Sequence, residues 1–324
     1  MGNGTMAPEI TISILLPTRG RPEGAERFLR SVVERTADPD RLEIVLYVDE
    51  DDPASHALGC DDISVTRIVG PSLSMGGLNT ACYRRSTGDI IVPLNDDMVI
   101  RTPEWDRRLV DIHQRFPDRI YLVYPNDLHA GEAFPSTPIL SRTACEILGD
   151  PFPEVYRGGF IDYHVMDIFK RLQVLGEDRV VYLKDVVIEH LHYRYGKSEV
   201  DATYQARGPL DVGDEVFINL RKYRQVAAGR LDSVIRATPP PELPPMKPAA
   251  PLLDNDCQAI AGFAGKFLLD AALPISWRAH LFEVLSRRYL LKKYKYPEPT
   301  WQYRLLKTLA PLLKLPFQLV QKFK

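Results

Sequence analysis

Cysteine is scarce in this chain: four in 324 residues, Cys60, Cys82, Cys145 and Cys257, with no C-x-x-C pair among them. Such spacing excludes a thiolate zinc site and a disulfide-dense scaffold, and it suits a reducing, cytoplasmic setting. Long apolar runs are lacking as well. No stretch approaches the roughly 18 apolar residues of a membrane span, and Met1 to Thr11 has neither the basic segment nor the apolar core of a secretory signal. A chain that neither crosses a membrane nor is secreted is expected. The net charge of −2 offers no general attraction for nucleic acid. Gly76-Gly77 matches neither G-x-G-x-x-G nor the G-K-[ST] ending of a P-loop, so the familiar phosphate-cradling signatures are missing too. What remains is a 45% hydrophobic chain, long enough to bury a large core in one large or two modest domains.

Within it, Ile90-Ile91-Val92-Pro93-Leu94 reads as a buried strand that ends abruptly in Asn95-Asp96-Asp97. An unpaired carboxylate is costly in an apolar environment, so acids gathered at a strand's exit face water, a ligand or a metal. Oxygen ligands of this kind suit Mg²⁺ or Mn²⁺, which in turn bind phosphate. The competing reading is an ordinary Asn/Asp turn bonding nearby backbone. The surroundings decide between them.

Those surroundings alternate strand and helix. Ile10 to Leu16 reads as a strand, followed by the break Pro17-Thr18-Arg19-Gly20-Arg21-Pro22 and a helix carrying Ala25, Phe28, Leu29, Val32 and Val33. A second strand, Leu42 to Val48, runs into Asp49-Glu50-Asp51-Asp52. A third spans Val65 to Val69, and a helix through Asn79 to Arg85 leads to Gly88-Asp89 and the acidic strand. A helix start at Pro103, a strand over Ile120 to Tyr124, helices over Ser141 to Leu148 and Phe160 to Leu175, and strands over Val180 to Leu183 and Val186 to Ile188 complete the series. Repeated alternation implies a largely parallel sheet with ligands at the carboxyl ends of its strands, where Arg19, Asp49 and Asp97 all fall.

The order and spacing of these features resemble a family 2 type glycosyltransferase with the GT-A fold over roughly Ile10 to Tyr204. The matching elements are Leu16-Pro17-Thr18-Arg19, Asp49 after the second strand, Asn79 in a helix before Gly88-Asp89, and Asn95-Asp96-Asp97 as a version of D-x-D. Trp105 downstream, an acidic helix near Asp162, and His190 or His192 on a late strand complete the match. The resemblance implies a GT-A, Rossmann-like α/β fold: a mixed, mostly parallel sheet flanked by helices. It also implies donor binding by Pro17, Thr18, Arg19, Asp49, Asn79, Asn95 and Asp96, with Asp49 accepting a uracil imide proton. Asp97 would hold Mn²⁺ or Mg²⁺ against the diphosphate of a nucleotide-sugar donor, a UDP-sugar by preference. Asn95 departs from the family's first Asp, which weakens charge compensation at the metal.

Sugar transfer releases a nucleoside diphosphate, and an inverting transfer needs a carboxylate on the opposite face to take the acceptor's proton. Asp162 is the first choice and Asp167 the second. Residues five apart on a helix point about 140° from one another, so the two cannot serve one small cleft together. Asp162 has a helix-cap reading and Asp167 an ion-pair reading with Arg171 at i+4. His190 and His192 share a strand face, where either would complete a metal shell or act as a structural hydrogen-bonding group. Arg84 and Arg85 read as a solvated helix face rather than diphosphate ligands, and Trp105 and Tyr163 as core packing rather than sugar platforms.

The expected division is a catalytic domain over 1–225, a Pro-rich linker over 226–252 and a C-terminal helical segment over 253–324. The linker's core is the Pro-rich stretch Ala237 to Pro251. In the tail, ten basic residues from Arg287 to Lys324 face only Glu298, and Trp301, Leu305, Leu309, Phe317 and Phe323 lie among them. That pattern fits either a helix on an anionic membrane surface, at the cytoplasmic face, or a helix docked on the catalytic domain or on a second subunit of a homo-oligomer. The expected function is metal-dependent, inverting transfer of a sugar to a glycan or lipid-linked acceptor. The alternatives are a sugar-nucleotide nucleotidyltransferase, whose usual G-x-G-T-R-rich opening is absent here, and a noncatalytic glycan-binding or membrane scaffold protein.

Overall fold

The computed structural model describes residues 9–192, 196–198, 213–246 and 255–293. Eight strands form the sheet: β1 Ile12–Thr18, β2 Leu42–Asp49, β3 Ser64–Gly70, β4 Ile90–Pro93, β5 Met98–Ile100, β6 Leu122–Asn126, β7 Ile139–Ser141 and β8 Val180–His190. Their order across it is β3-β2-β1-β4-β7-β6-β8-β5. Strands β3, β2, β1 and β4 are mutually parallel, as are β6 and β8, while β7 and β5 pair antiparallel with their neighbours. The sheet is therefore mixed and mostly parallel.

Both faces are covered, which is why these strands read as continuous apolar runs rather than as alternations. Along β1, Ile12, Ile14 and Leu16 enter one core with Ile44, Leu46, Val48 and Val92, whereas Leu15 joins Val45, Tyr47 and Ile91 in the other. Helices α1 Pro22–Arg35 and α3 Trp105–Arg115 cover the first face through Phe28, Val32, Trp105 and Leu109. The second face carries α2 Met75–Arg85, α4 Arg142–Leu148, α5 Ile161–Val174, α6 Gly213–Asn219, α7 Arg221–Ile235, α8 Asp256–Phe263 and α9 Ile275–Lys293.

Two close approaches fix this packing. A Cβ on Gly76 would lie 2.0 Å from the Pro153 carbonyl oxygen, so only glycine lets α2 meet the loop before α5. One on Gly24 would stand 3.0 Å from the Asp96 carbonyl oxygen, which binds α1 closely to the acidic turn.

Three expectations require correction. Residues 226–235, expected within the linker, form most of α7, because Ala227, Ala228 and Leu231 give it an apolar face packed on α4 and α5. The two strands expected over 180–188 are one, since β8 changes partner along its length from β6 to β5. The helices after the Pro-rich stretch do not stand apart: Phe263, Phe267, Trp277, Leu281 and Leu285 share a core with Leu122, Phe169 and Leu172. The tail from Trp301 lies outside the described residues, as do residues 247–252 of the expected linker. Among the described residues, no helix is long and apolar enough to cross a membrane.

Candidate active site

The site forms where β1, β2 and β4 end side by side. Thr18 and Val48 are register partners, and Leu15 pairs with Pro93. Pro17 has the same parity as Leu15, whose carbonyl accepts from Leu94 N at 2.9 Å on the β4 side. Its missing N–H therefore faces the edge where β4 has already turned away, and the buried proline costs the ladder nothing there.

Leaving the sheet, β4 makes a turn in which Met98 N donates to Asn95 O at 3.2 Å. Asp96 points back into the protein, where Oδ2 accepts from Thr18 Oγ1 at 2.8 Å and Oδ1 from Arg21 Nη1 at 3.1 Å. Burial pushes its carboxyl above the ordinary carboxylate range, and the neighbouring Asp97 adds to this; Arg21 and the Thr18 hydroxyl work against them. Asp97 goes the other way. Because Met98 is the register partner of His190, Asp97 lies at the end of β8, where Leu191 N donates to its carbonyl at 2.7 Å. Its Oδ1 is 3.3 Å from His190 Nε2, and the His190 and His192 rings meet edge to face at 5.2 Å. A turn steadies this strand end: His190 O contacts His129 Nε2 at 2.9 Å, and Asp127 Oδ1 accepts from His129 N at 2.9 Å.

Asp49 closes β2 and is buried. It accepts from Arg19, whose guanidinium also reaches Asp51 Oδ2 at 2.8 Å and Ser72 Oγ at 2.7 Å. Asn95 is half-buried on the turn itself. Asn79 is turned into its own helix, with Nδ2 donating to Met75 O at 3.1 Å.

The remaining candidate carboxylate stands at the start of α5. Phe160 precedes the helix in the left-handed region, with φ of 77°, a conformation that costs a non-glycine residue about 1 kcal/mol or more. Asp162 follows, half-buried, with Oδ1 accepting from Tyr163 N at 2.9 Å, so it satisfies one first-turn amide without being the N-cap residue. Burial pushes its carboxyl up to about 6, while the amides of Tyr163 and Asp162 itself, Arg288 and His190 only moderate the rise. The influence of His190 ties this carboxyl electrostatically to the Asp97 side of the site.

Asp167 is a correction. It is fully buried, with Oδ2 accepting from Arg171 Nε at 2.9 Å and Arg224 Nε at 2.6 Å, and Oδ1 from Trp277 Nε1 at 3.0 Å. Burial alone would raise its carboxyl, but Arg224 and Arg171 outweigh that and hold it below the ordinary range. No substrate hydroxyl can reach it. Trp105 is likewise fully buried, bonded to Thr36 Oγ1 at 3.2 Å, and Arg84 is a solvated residue facing Glu154 at 3.4 Å.

The donor chemistry of a divalent ion is met in part. Asp97 and His190 bring one hard oxygen and one imidazole nitrogen together, a partial set of the kind that substrate phosphates and water complete around Mg²⁺ or Mn²⁺. Among the described residues no group of three or more His, Cys, Asp or Glu could hold the ion by protein ligands alone.

Sequence reasoning missed the contact of Arg21 with Asp96 and that of Arg288 with Asp214. Arg21 was readable only as part of a turn, and nothing local indicates that it spans to Asp96. Arg288 sits in a helix whose role is set entirely by what it packs against.

No protein-family model and no curated protein matches the chain. Among solved structures, the chain is similar to a mannosyltransferase, PcManGT from Pyrobaculum calidifontis in complex with GDP-Man and Mn²⁺. The two are 16% identical over 96% of this chain and 83% of the other, with a TM-score of 0.47. S. aureus TarS 1–349 in complex with UDP-GlcNAc is 12% identical over 94% of this chain and 92% of its own, at a TM-score of 0.46. GalNAc-T7 with UDP, GalNAc and Mn²⁺ is 11% identical over 56% of this chain and 43% of its own, at 0.45. Likeness at this level assigns no residue of this chain a role.

Proposed function

We propose that this chain is a divalent-metal-assisted, inverting glycosyltransferase that takes a sugar from a nucleoside-diphosphate donor, a UDP-sugar by preference. The observation that carries the reading is the division of labour among three carboxylates. Asp96 is tied inward to Thr18 and Arg21, Asp97 meets His190, and Asp162, bound by neither an arginine nor a hydroxyl, is pushed up by burial to about 6. A carboxyl raised by burial suits proton transfer, while carboxylates held by a hydroxyl, a guanidinium or an imidazole suit binding of charge.

In this reading the nucleoside lies over the ends of β1 and β2. Asp49, with one oxygen already accepting from Arg19, offers its other to a base N–H. Asp97 and His190 would hold the metal, whose contribution would be Lewis-acid stabilisation of the departing diphosphate. Asp162 accepts the proton of the acceptor hydroxyl as that oxygen attacks the anomeric carbon and the bond from that carbon to the diphosphate oxygen breaks. A base with a pKa near 6 is ionised at neutral pH yet more basic than an ordinary carboxylate. The sequence resemblance to family 2 glycosyltransferases points the same way, and the acceptor class it suggests is a glycan or lipid-linked sugar.

The test is a screen of nucleotide sugars with Mn²⁺ or Mg²⁺, reading nucleoside diphosphate released and sugar transferred. Release of pyrophosphate from a sugar phosphate and a nucleoside triphosphate would instead assign a nucleotidyltransferase, and nucleotide binding without turnover a noncatalytic binding protein.

A further inference from the structure

Side chains of helix α9 touch α5 and the residue before it in antiparallel order. Near its start Trp277 donates to Asp167, five residues beyond Asp162 on α5. The same end meets the Tyr163 ring through Trp277 at 5.9 Å and His280 at 5.8 Å, with Tyr163 Oη 3.3 Å from His280 Nε2. Eleven residues past Trp277, about 16 Å along a helix, Arg288 reaches the front of α5.

There its guanidinium makes two contacts of different kinds. Nε and Nη2 donate to Asp214 Oδ1 on α6 at 2.9 and 2.7 Å, and the group lies over the Phe160 ring at 4.8 Å from its centroid. Phe160 is the left-handed residue that aims the first turn of α5, and Asp162 belongs to that turn. Gly213, beside Asp214, packs so closely that a Cβ would stand 2.9 Å from the Gly159 carbonyl oxygen, so α6 supports the same strained corner. Arg288 is mostly buried, and Asp214 almost wholly so. A guanidinium suits this place because it stacks on a ring face while donating in its own plane, which an ammonium cannot do.

We propose that Arg288, delivered by the C-terminal helix, is a positioning residue that holds the Phe160 corner and thereby Asp162 in the orientation needed to take the acceptor's proton. The inference rests on the reading of Asp162 as the base, and it makes α9 part of the catalytic unit. The charged and titratable groups acting on Asp162 include His190 from β8, Arg288 from α9, Tyr163 beside it and Tyr156 from the preceding loop. Arg288 joins a charge acting on Asp162 to a hold on the backbone corner through Phe160, a ring that Tyr163 also packs against at 4.8 Å.

The experiment compares Arg288→Ala, Arg288→Lys and Asp214→Asn in the full chain. It measures kcat for transfer, donor affinity by calorimetry, thermal midpoint, and hydrogen exchange of the amides of residues 159–164. The expected result for Arg288→Ala is a fall in kcat of roughly ten- to a hundredfold, as for loss of an aligned general base. Donor affinity should stay within about twofold, and exchange should accelerate at 159–164. Arg288→Lys, lacking the stack and the planar fork, should recover only part of kcat. Wild-type kcat in folded Arg288→Ala overturns the inference. If that variant does not fold, wild-type kcat in both Arg288→Lys and Asp214→Asn overturns it. Absence of transfer by the wild-type chain with every donor overturns the glycosyltransferase reading itself, and the inference with it.

Discussion

The Thr18 hydroxyl donates a 2.8 Å hydrogen bond to Asp96, joining the end of the first strand to a turn 78 positions later. Both groups are buried, so this bond closes the floor of the site from within. Asp96 and Asp97, adjacent in sequence, are thereby separated in duty: one is held inward by Thr18 and Arg21, the other faces His190.

Removing the floor has a measurable cost. Thr18→Val keeps the shape and takes away one donor to a buried carboxylate, so stability should fall by about 1.5–3 kcal/mol in urea titrations at neutral pH. A change under about 0.5 kcal/mol would mean that Arg21 alone satisfies Asp96.

Asp97→Ala should abolish transfer and remove the Mn²⁺-dependent part of nucleotide binding. Its effect on the thermal midpoint should be small, because Asp97 lies at the rim and not in the core. Calorimetry with and without the ion checks this, and full Mn²⁺-dependent binding in the variant would remove Asp97 from the metal site.

The pH profile should report Asp162. With its carboxyl pushed up to about 6, kcat should rise as pH climbs through that value and level off above it. Asp162→Asn should lower kcat by roughly two to four orders of magnitude with donor affinity nearly unchanged. A profile flat down to about pH 4.5 would reject the assignment.

The same shift makes a stability prediction of opposite sense to the usual carboxylate. The folded pKa of about 6 exceeds the ordinary 3.8, so the native state binds the proton more tightly than the unfolded chain. Stability contributed by Asp162 is therefore present below the lower value and lost as pH rises towards the higher one. Asp162→Asn should raise the thermal midpoint near about pH 8 and leave it unchanged near about pH 3.5. Equal midpoint differences at the two pH values would show that the carboxyl is not perturbed.

Asp167→Ala should behave as a fold mutant. It leaves Arg224 buried with its charge uncompensated and Arg171 with Asp270 as its remaining partner, at a cost of about 3–5 kcal/mol. Denaturant unfolding checks the size. Loss of activity with undiminished stability would return Asp167 to the site.

Sequence alone determined the elements and much of the rim. Apolar runs ending in Thr18, Asp49 and Asp97 are legible because a buried parallel strand must be apolar throughout and can carry polar groups only where it leaves the sheet. The i+4 pairing of Asp167 with Arg171 follows from helical spacing and was readable in the same way. Tertiary structure decided the rest. It alone turned Asp96 inward and Asp97 outward, since that depends on Thr18 and Arg21 on one side and the β5–β8 register on the other. It alone divided the α5 carboxylates, because Asp167 acquires Arg224 and Trp277 from distant helices while Asp162 does not. The place of α9 beside the site was likewise invisible, since an apolar helix pattern shows that a face is buried but not against what.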